Sequence, residues 1–306
     1  MQKLPANGPA REALREKGQF WTPQWLARAM ATWVTADHPS VLFDPAVGPG
    51  TFFSAAREAG FTGSFAGFEL DETALQESYR LGLPPSELRE VEIGDFIGSR
   101  LPATFPAIIS NPPYIRHHRL SEARKNELRL LATKFLGFPL DGRVGLHVFF
   151  LLKCLDHLAP GGRLAFLLPA DVCEGVCSAA VWKRLSEKFR LEAVLTFSEE
   201  AAPFPSVDTN AMVFLLSNRP PASPVLWLQV RKPDPRAILS ALRGHGGADG
   251  RNRAITVQQR DLQEAIATGL SRPPRILGAA GVPLSEFARV VRGIATGANE
   301  FFFLAP

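Results

Sequence analysis

From residue 41 to about residue 217, short wholly apolar runs alternate with longer stretches that carry one apolar face. "VLFDPA" (41–46) reads as a buried strand and "FFSAAREAG" (52–60) as a helix closed by Gly60. "SFAGFEL" predicts the next strand, and "DETALQESYRLG" a helix with Asp71 at its N-terminal side. "VEIGDF" and "AIIS" predict short strands; "LHVFFLLKCLDHL" predicts a strongly apolar helix ended by "APGG". "RLAFLLPA" is a further strand, "VWKRLSEKF" a helix, and "LEAVLTF" and "NAMVFLLSN" the last two strands. Strands apolar throughout must be covered on both faces, so this order predicts a doubly wound, mostly parallel α/β sheet with helices on each side.

The texture changes beyond that region. "NRPPASP" is a proline-rich connector, and "RGHGGADGRNR" a glycine- and arginine-rich stretch. The expected organisation is an N-terminal helical segment (1–40), a main domain (41–218) and a C-terminal extension (219–306). The chain ends on "NEFFFLAP", an apolar run with no capping element, where more polypeptide or a partner surface is expected.

Composition narrows the class without choosing a function. Hydrophobic residues make up 46% and charged residues 21%, as in a globular protein that folds in water. Twenty-two Phe stand against two Tyr, which predicts a core anchored by phenyl rings. The formal charge of +4 is unevenly spread: residues 231–275 hold nine Arg or Lys against four Asp or Glu, and residues 115–134 hold six against two. Such clusters suit a polyanionic partner, but a solvated helix face is the commoner cause, so charge alone decides nothing. Cys154, Cys173 and Cys177 form no CxxC pair and have no histidine at ligand spacing, so neither a metal site nor a disulfide framework is expected. No signal-peptide core and no run near the ~18 apolar residues of a membrane span is present. The setting expected is reduced and cytoplasmic, without a membrane partner.

The candidate chemistry sits at the ends of the predicted strands. The first leads into "DPAVGPGTF", where Gly48 and Gly50 allow a tight turn and close approach of a ligand to the backbone. A dinucleotide site of the GxGxxG type would place a third glycine where this chain has Phe53. Asp44 disfavours a phosphate beside the loop and suits a cationic or ammonium ligand. Glu69, closing the second strand in "FELD", is placed to accept from a ribose diol, although capping the next helix would explain it equally. Asp95 and Phe96 in "GDF" offer an acceptor for an adenine amino group and a ring face for its plane. An adenosine with a positively charged tail describes S-adenosyl-L-methionine. The fourth strand then ends in "SNPPYIR": two prolines stop it, presenting Asn111 and Tyr114 on a stiffened turn.

"GQFWTP" (18–23), "DPAVGPGTF" (44–52), "GFELD" (67–71), "GDF" (94–96) and "NPPY" (111–114) occur in the order found in gamma-class adenine-specific DNA methyltransferases. The chain resembles their TaqI-like and Eco57I-like branch and the modification subunits of type I systems. "LAPGGRLAFLLPADV" and "FPSVDTNAMVFLL" extend the resemblance, and "VVRGIATGANEFFFL" resembles the junction into a target-recognition region. The resemblance implies a class I, Rossmann-like fold with a seven-stranded sheet, and S-adenosyl-L-methionine as methyl donor. It implies that Thr22 and Pro23 close over the methionine end, which Asp44, Gly48 and Gly50 also bound. Glu69 would hold the ribose, and Asp95 with Phe96 the adenine. Pro45, Ala46, Phe52 and Leu70 of the same motifs are expected in the cofactor site.

On the acceptor side it implies that Asn111 and the carbonyl of Pro112 accept from the target amino group, with Pro113 fixing the turn. Tyr114 and Phe204 would stack on an extruded adenine. Arg116, His117, His118 and Arg119 are candidate contacts to the DNA backbone, and Phe149 and Phe150 read as helix core. The implied partners are double-stranded DNA, a target-recognition domain or subunit, and a cognate nuclease in a restriction-modification or phage-defence system. Two alternatives stay open: an NPPY-type methyltransferase acting on RNA or protein glutamine, and a non-catalytic DNA-binding or assembly subunit with a methyltransferase shell.

Overall fold

The computed structural model describes residues 20–101, 103–115, 119–141, 143–175, 177–205, 210–244, 254–273 and 286–289. Contacts divide the chain into two units, Met1–Pro274 and Arg275–Pro306; the fold below belongs to the first.

Among the described residues nine strands form one sheet: β1 (Val41–Asp44), β2 (Ser64–Glu69), β3 (Val91–Ile93), β4 (Phe105–Ser110), β5 (Leu158–Pro169), β6 (Arg190–Phe197), β7 (Ala211–Ser217), β8 (Val225–Val230) and β9 (Ile255–Arg260). Their spatial order is β3-β2-β1-β4-β5-β7-β6-β8-β9, with β7 antiparallel to both neighbours and β9 antiparallel to β8. The expected seven strands are therefore nine. The sheet also runs past residue 218: β8 pairs in parallel with β6, and β9 closes the edge. The proline-rich connector enters β8 directly, and the polar "TVQQR" of β9 suits an edge strand that needs little apolar cover.

The helices are α1 (Gln24–Val34), α2 (Thr51–Glu58), α3 (Glu72–Gln76), α4 (Glu122–Leu136), α5 (Leu146–Asp156), α6 (Asp171–Glu174), α7 (Ser178–Ser186), α8 (Pro235–Leu242) and α9 (Leu262–Thr268). Alternation along each strand sends successive side chains to opposite faces. Phe43, Ile108, Phe166 and Phe214 face one core with α4, α5 and α7; Leu42, Ile109, Leu167 and Val213 face the other with α1, α2 and α8. Phenyl rings anchor both cores, as the composition predicts: Phe43 stacks on Phe105 at 4.0 Å, and Phe53 on Phe65 at 4.4 Å. Each ring buried this way contributes about 1.5–3 kcal/mol. The predicted helix over 71–82 is an α turn at 72–76 followed by 3-10 turns at 77–81, with Asp71 capping it through Thr73 N–H at 3.1 Å.

The order β3-β2-β1 reverses at β4, which opens a crevice at the carboxyl ends of β1 and β4. The adjacent parallel strands β1, β4 and β5 all stop beside prolines: Pro45, Pro112 and Pro169. A proline contributes no ladder N–H, and past the ends of β1 and β4 the next residues, Pro45 and Asn111, line the crevice.

Candidate active site

The crevice holds a cavity of about 250 Å3. Its wall on the β1 side is the turn 45–50, which must reverse sharply before α2. Gly50 caps that helix at φ +78°, and a Cβ there would lie 2.6 Å from Leu83 Cδ1, so only glycine fits without displacement. Below it, Gly67 of β2 lets the backbone pass close; a Cβ there would sit 2.2 Å from the Asp44 carbonyl oxygen.

Three carboxylates border the cavity or lie under it, and each is already held. Asp44 is 1% exposed, with Oδ1 accepting from Ala46 N–H at 3.0 Å and from the Ser110 hydroxyl at 2.9 Å. Burial pushes its carboxyl up to about 7, against the pull of those hydrogen bonds and with a further push from Glu69. Glu69 accepts from Gly48 N–H at 2.7 Å and from Asp71 N–H at 2.8 Å, so it ties the glycine turn to the start of α3. Each oxygen keeps a lone pair for a further donor. Asp95 accepts from Ile97 N–H and Gly98 N–H, both at 3.2 Å, and from Arg124 at 2.7 Å. Burial alone would raise the Asp95 carboxyl, but Arg124 and the two amides outweigh it and hold the group below its usual range.

At the tip of β4, the Asn111 amide nitrogen donates to the Phe20 carbonyl at 2.5 Å and to Thr22 Oγ1 at 3.2 Å. With the nitrogen committed to the segment before α1, the amide oxygen is the end left to accept. Pro112 is buried and Pro113 lines the cavity. Tyr114 donates to the Leu167 carbonyl at 3.1 Å, and burial, with Asp171 adding to it, keeps the phenol well above its ordinary pKa and so protonated. Its ring belongs to a cluster: Phe20 lies 6.1 Å from Tyr114 and 5.7 Å from Phe204, and Tyr114 lies 6.5 Å from Phe204. His147 meets the Tyr114 ring edge-on at 5.8 Å, with Nε2 3.1 Å from Asp171.

Of the residues expected from the sequence, Thr22, Pro45, Ala46, Gly48, Phe52, Glu69, Leu70, Asp95, Phe96, Asn111 and Pro113 line this one cavity. Asp44 and Gly50 support it from beneath; Pro23 stands at the N-terminus of α1. Tyr114 and Phe204 sit in the aromatic cluster instead. Arg119 is exposed, while Arg116, His117 and His118 lie outside the described residues, as do 290–306 with the terminal apolar run. Phe150 is core as expected, but it also lines the cavity, 5.1 Å from Phe96. Sequence reasoning missed Phe20 and Trp21, although both lie inside the quoted "GQFWTP". It also missed Ser110 and Arg124, whose partners are distant in the chain and carry no local signal.

The N-6 DNA Methylase family matches residues 7–237. This chain belongs to that family. It is 26% identical over 293 residues to the type II methyltransferase M.AccI of Acinetobacter calcoaceticus, covering 95% of this chain and 54% of the relative. It is 28% identical over 291 residues to M.XamI of Xanthomonas campestris pv. amaranthicola, covering 92% and 52%. The chain thus spans about half the length of these relatives. A solved chain of a type I R-M system shares the fold over 91% of this chain and 65% of its own, with a TM-score of 0.62 at 17% identity.

The donor set suits S-adenosylmethionine better than a phosphate ligand. Two carboxylates, Glu69 and Asp95, and the Phe96 and Phe52 rings line the cavity with buried Asp44 beneath, and its one described cation, Arg124, is paired with Asp95 and Glu127. That environment favours hydroxyl and amino donors and a cationic tail over a pyrophosphate.

Proposed function

We propose that this chain transfers a methyl group from S-adenosyl-L-methionine to the exocyclic amino group of an adenine in double-stranded DNA. The observation that carries the reading is the fixed Asn111 amide, its nitrogen occupied and its oxygen without a partner among the described residues, beside a cavity edged by Glu69 and Asp95. When bound, S-adenosylmethionine supplies an electrophilic methyl on a sulfonium. Glu69 accepts from the ribose hydroxyls, Asp95 accepts from the cofactor's adenine amino group, and Phe96 covers its ring. Asp44, ionised, matches the cationic tail from beneath.

The target amino nitrogen is a weak nucleophile because its lone pair is delocalised into the ring. Asn111 Oδ1 and the Pro112 carbonyl accept its two hydrogens, which favours a pyramidal nitrogen and frees the lone pair for in-line attack. No carboxylate base is required: position and oriented dipoles supply the barrier reduction, and the amino proton leaves to water. An amino group inside a duplex is out of reach, so the base is extruded at a few kcal/mol. Tyr114 and Phe204 recover part of this by stacking, at about 1–3 kcal/mol per base. Choice of the adenine falls to a target-recognition domain or subunit, in a restriction-modification setting with a cognate nuclease.

Long-read mapping of cells expressing the whole gene tests the reading. N6-methyladenine at one recurring sequence is expected. Unmethylated DNA, or a methyl group found instead on RNA or protein glutamine, overturns it.

A further inference from the structure

Lys153 is a buried ammonium in the apolar helix α5, and nothing in the chemistry above uses it. It is 8% exposed, and burial lowers its pKa. Its Nζ donates to the carbonyls of Phe96 at 2.5 Å, Ile97 at 3.0 Å and Ser99 at 2.6 Å, and to Ser99 Oγ at 3.2 Å. The same nitrogen lies 4.7 Å from the centre of the Phe96 ring. Every one of these acceptors belongs to the turn that follows β3.

Burial of Phe96 and Ile97 and the Arg124–Asp95 pair also hold that turn, but it hangs from a weaker strand than the other two tips do. β1 and β2 are flanked by strands on both sides, so the ladder fixes where Asp44 and Glu69 point. β3 is a three-residue strand at the sheet edge, and its outward residues are exposed. Asp95 caps the amides of the turn from within, through Ile97 and Gly98. Lys153 gathers its carbonyls from the other side. The helix that carries Lys153 also begins at the acceptor tip, where Leu146 N–H donates to the Ile115 carbonyl at 3.0 Å. One helix therefore references both the turn 95–99 and the NPPY tip.

We infer that Lys153 is a positioning residue for purine recognition, fixing the turn 95–99 so that Asp95 and Phe96 meet the cofactor's adenine. The inference rests on the cofactor assignment above and adds a determinant of base selectivity within it. Asp95 can accept from a 6-amino group, whereas a 6-oxo purine presents an acceptor to that carboxylate. A rigid turn enforces the difference; a loosened one does not.

Calorimetric titration with S-adenosylhomocysteine and S-inosylhomocysteine tests this without any turnover. The wild-type chain is expected to prefer the adenosyl ligand by about tenfold or more, the discrimination expected where a site is built to pair with one hydrogen-bonding group. Lys153→Met keeps the length of the side chain and removes its donors. Its adenosyl affinity is expected to fall about tenfold with the inosyl affinity nearly unchanged, so that the ratio collapses towards one. A role confined to stability would lower the melting temperature and weaken both ligands equally; that result, with the ratio kept, overturns the inference. If Lys153→Met does not fold, Lys153→Arg replaces it: a planar guanidinium spreads its N–H groups over three nitrogens and cannot converge them at one point as the ammonium does, so a reduced ratio is expected and an unchanged ratio refutes. A wild-type chain that binds neither ligand overturns the cofactor assignment itself, and the inference with it.

Discussion

The two halves of the crevice are built on different principles. On the cofactor side, every carboxylate is satisfied by backbone amides or a fixed partner: Asp44 by Ala46 and Ser110, Glu69 by Gly48 and Asp71, Asp95 by Ile97 and Gly98. On the acceptor side, Asn111 is fixed through its nitrogen, but the rings of Phe20, Tyr114 and Phe204 rest against one another at 5.7–6.5 Å. A planar base entering that cluster must part rings already in contact. Under the proposed function the cofactor half is preorganised by the sheet, and the acceptor half would complete itself only with a base present. Substitutions in the first half should act on cofactor affinity, and those in the second on transfer.

The largest separation is expected at the β4 tip. Asn111→Ala removes one of two acceptors for the target amino group, and single-turnover transfer is expected to fall by about 10³-fold, the scale of losing one oriented dipole in an active site. Retained transfer would refute the role given to Asn111.

Asp44→Asn tests the other half, and its effect depends on pH. With a folded pKa of about 7, Asp44 is neutral in acid and ionised in alkali. Affinity for S-adenosylmethionine should rise up to about pH 7 and then level, by at most tenfold per unit. In Asp44→Asn the calorimetric pH profile should flatten. Stability runs the opposite way. Because the folded state holds this proton more tightly, the group's contribution falls as pH rises from about 4 to about 7. The melting temperature of Asp44→Asn at pH 8 should therefore not lie below wild type.

A smaller effect is expected at Tyr114. Tyr114→Ala should raise KM for DNA or lower kcat by a stacking contribution of about 1–3 kcal/mol, while Tyr114→Phe, losing only the bond to Leu167, should change either by about 1 kcal/mol. Equal losses in the two variants would mean that the hydroxyl, not the ring, matters. Least is expected of Gly50→Ala, which should lower stability by about 1–2 kcal/mol through its positive φ and the Leu83 contact, read by denaturant midpoint.

The same contrast explains what was visible in the sequence. Strands β1, β2 and β4 and the second half of β5 are largely apolar runs that end at or just before Asp44, Glu69, Asn111 and Pro169, so both the sheet and its functional edge could be read directly. β8 and β9 were missed because "VLWLQV" follows a proline-rich connector and "ITVQQR" is half polar, as an edge strand can be. Contacts that hold the tips were hidden for another reason. Ser110 meets Asp44 across 66 residues, Arg124 meets Asp95 across 29, and Lys153 meets Phe96 across 57. Nothing local marks such a pairing; it exists only once the strand order is known.

The most direct test of the division between the two halves is a calorimetric titration of S-adenosylhomocysteine into Asn111→Ala, set beside its transfer rate. Affinity within about twofold of wild type is expected, since the cofactor half keeps all its carboxylates, with single-turnover transfer reduced by about 10³-fold. Loss of cofactor binding in step with loss of transfer would contradict it, because Asn111 would then belong to the half that the sheet already holds in place.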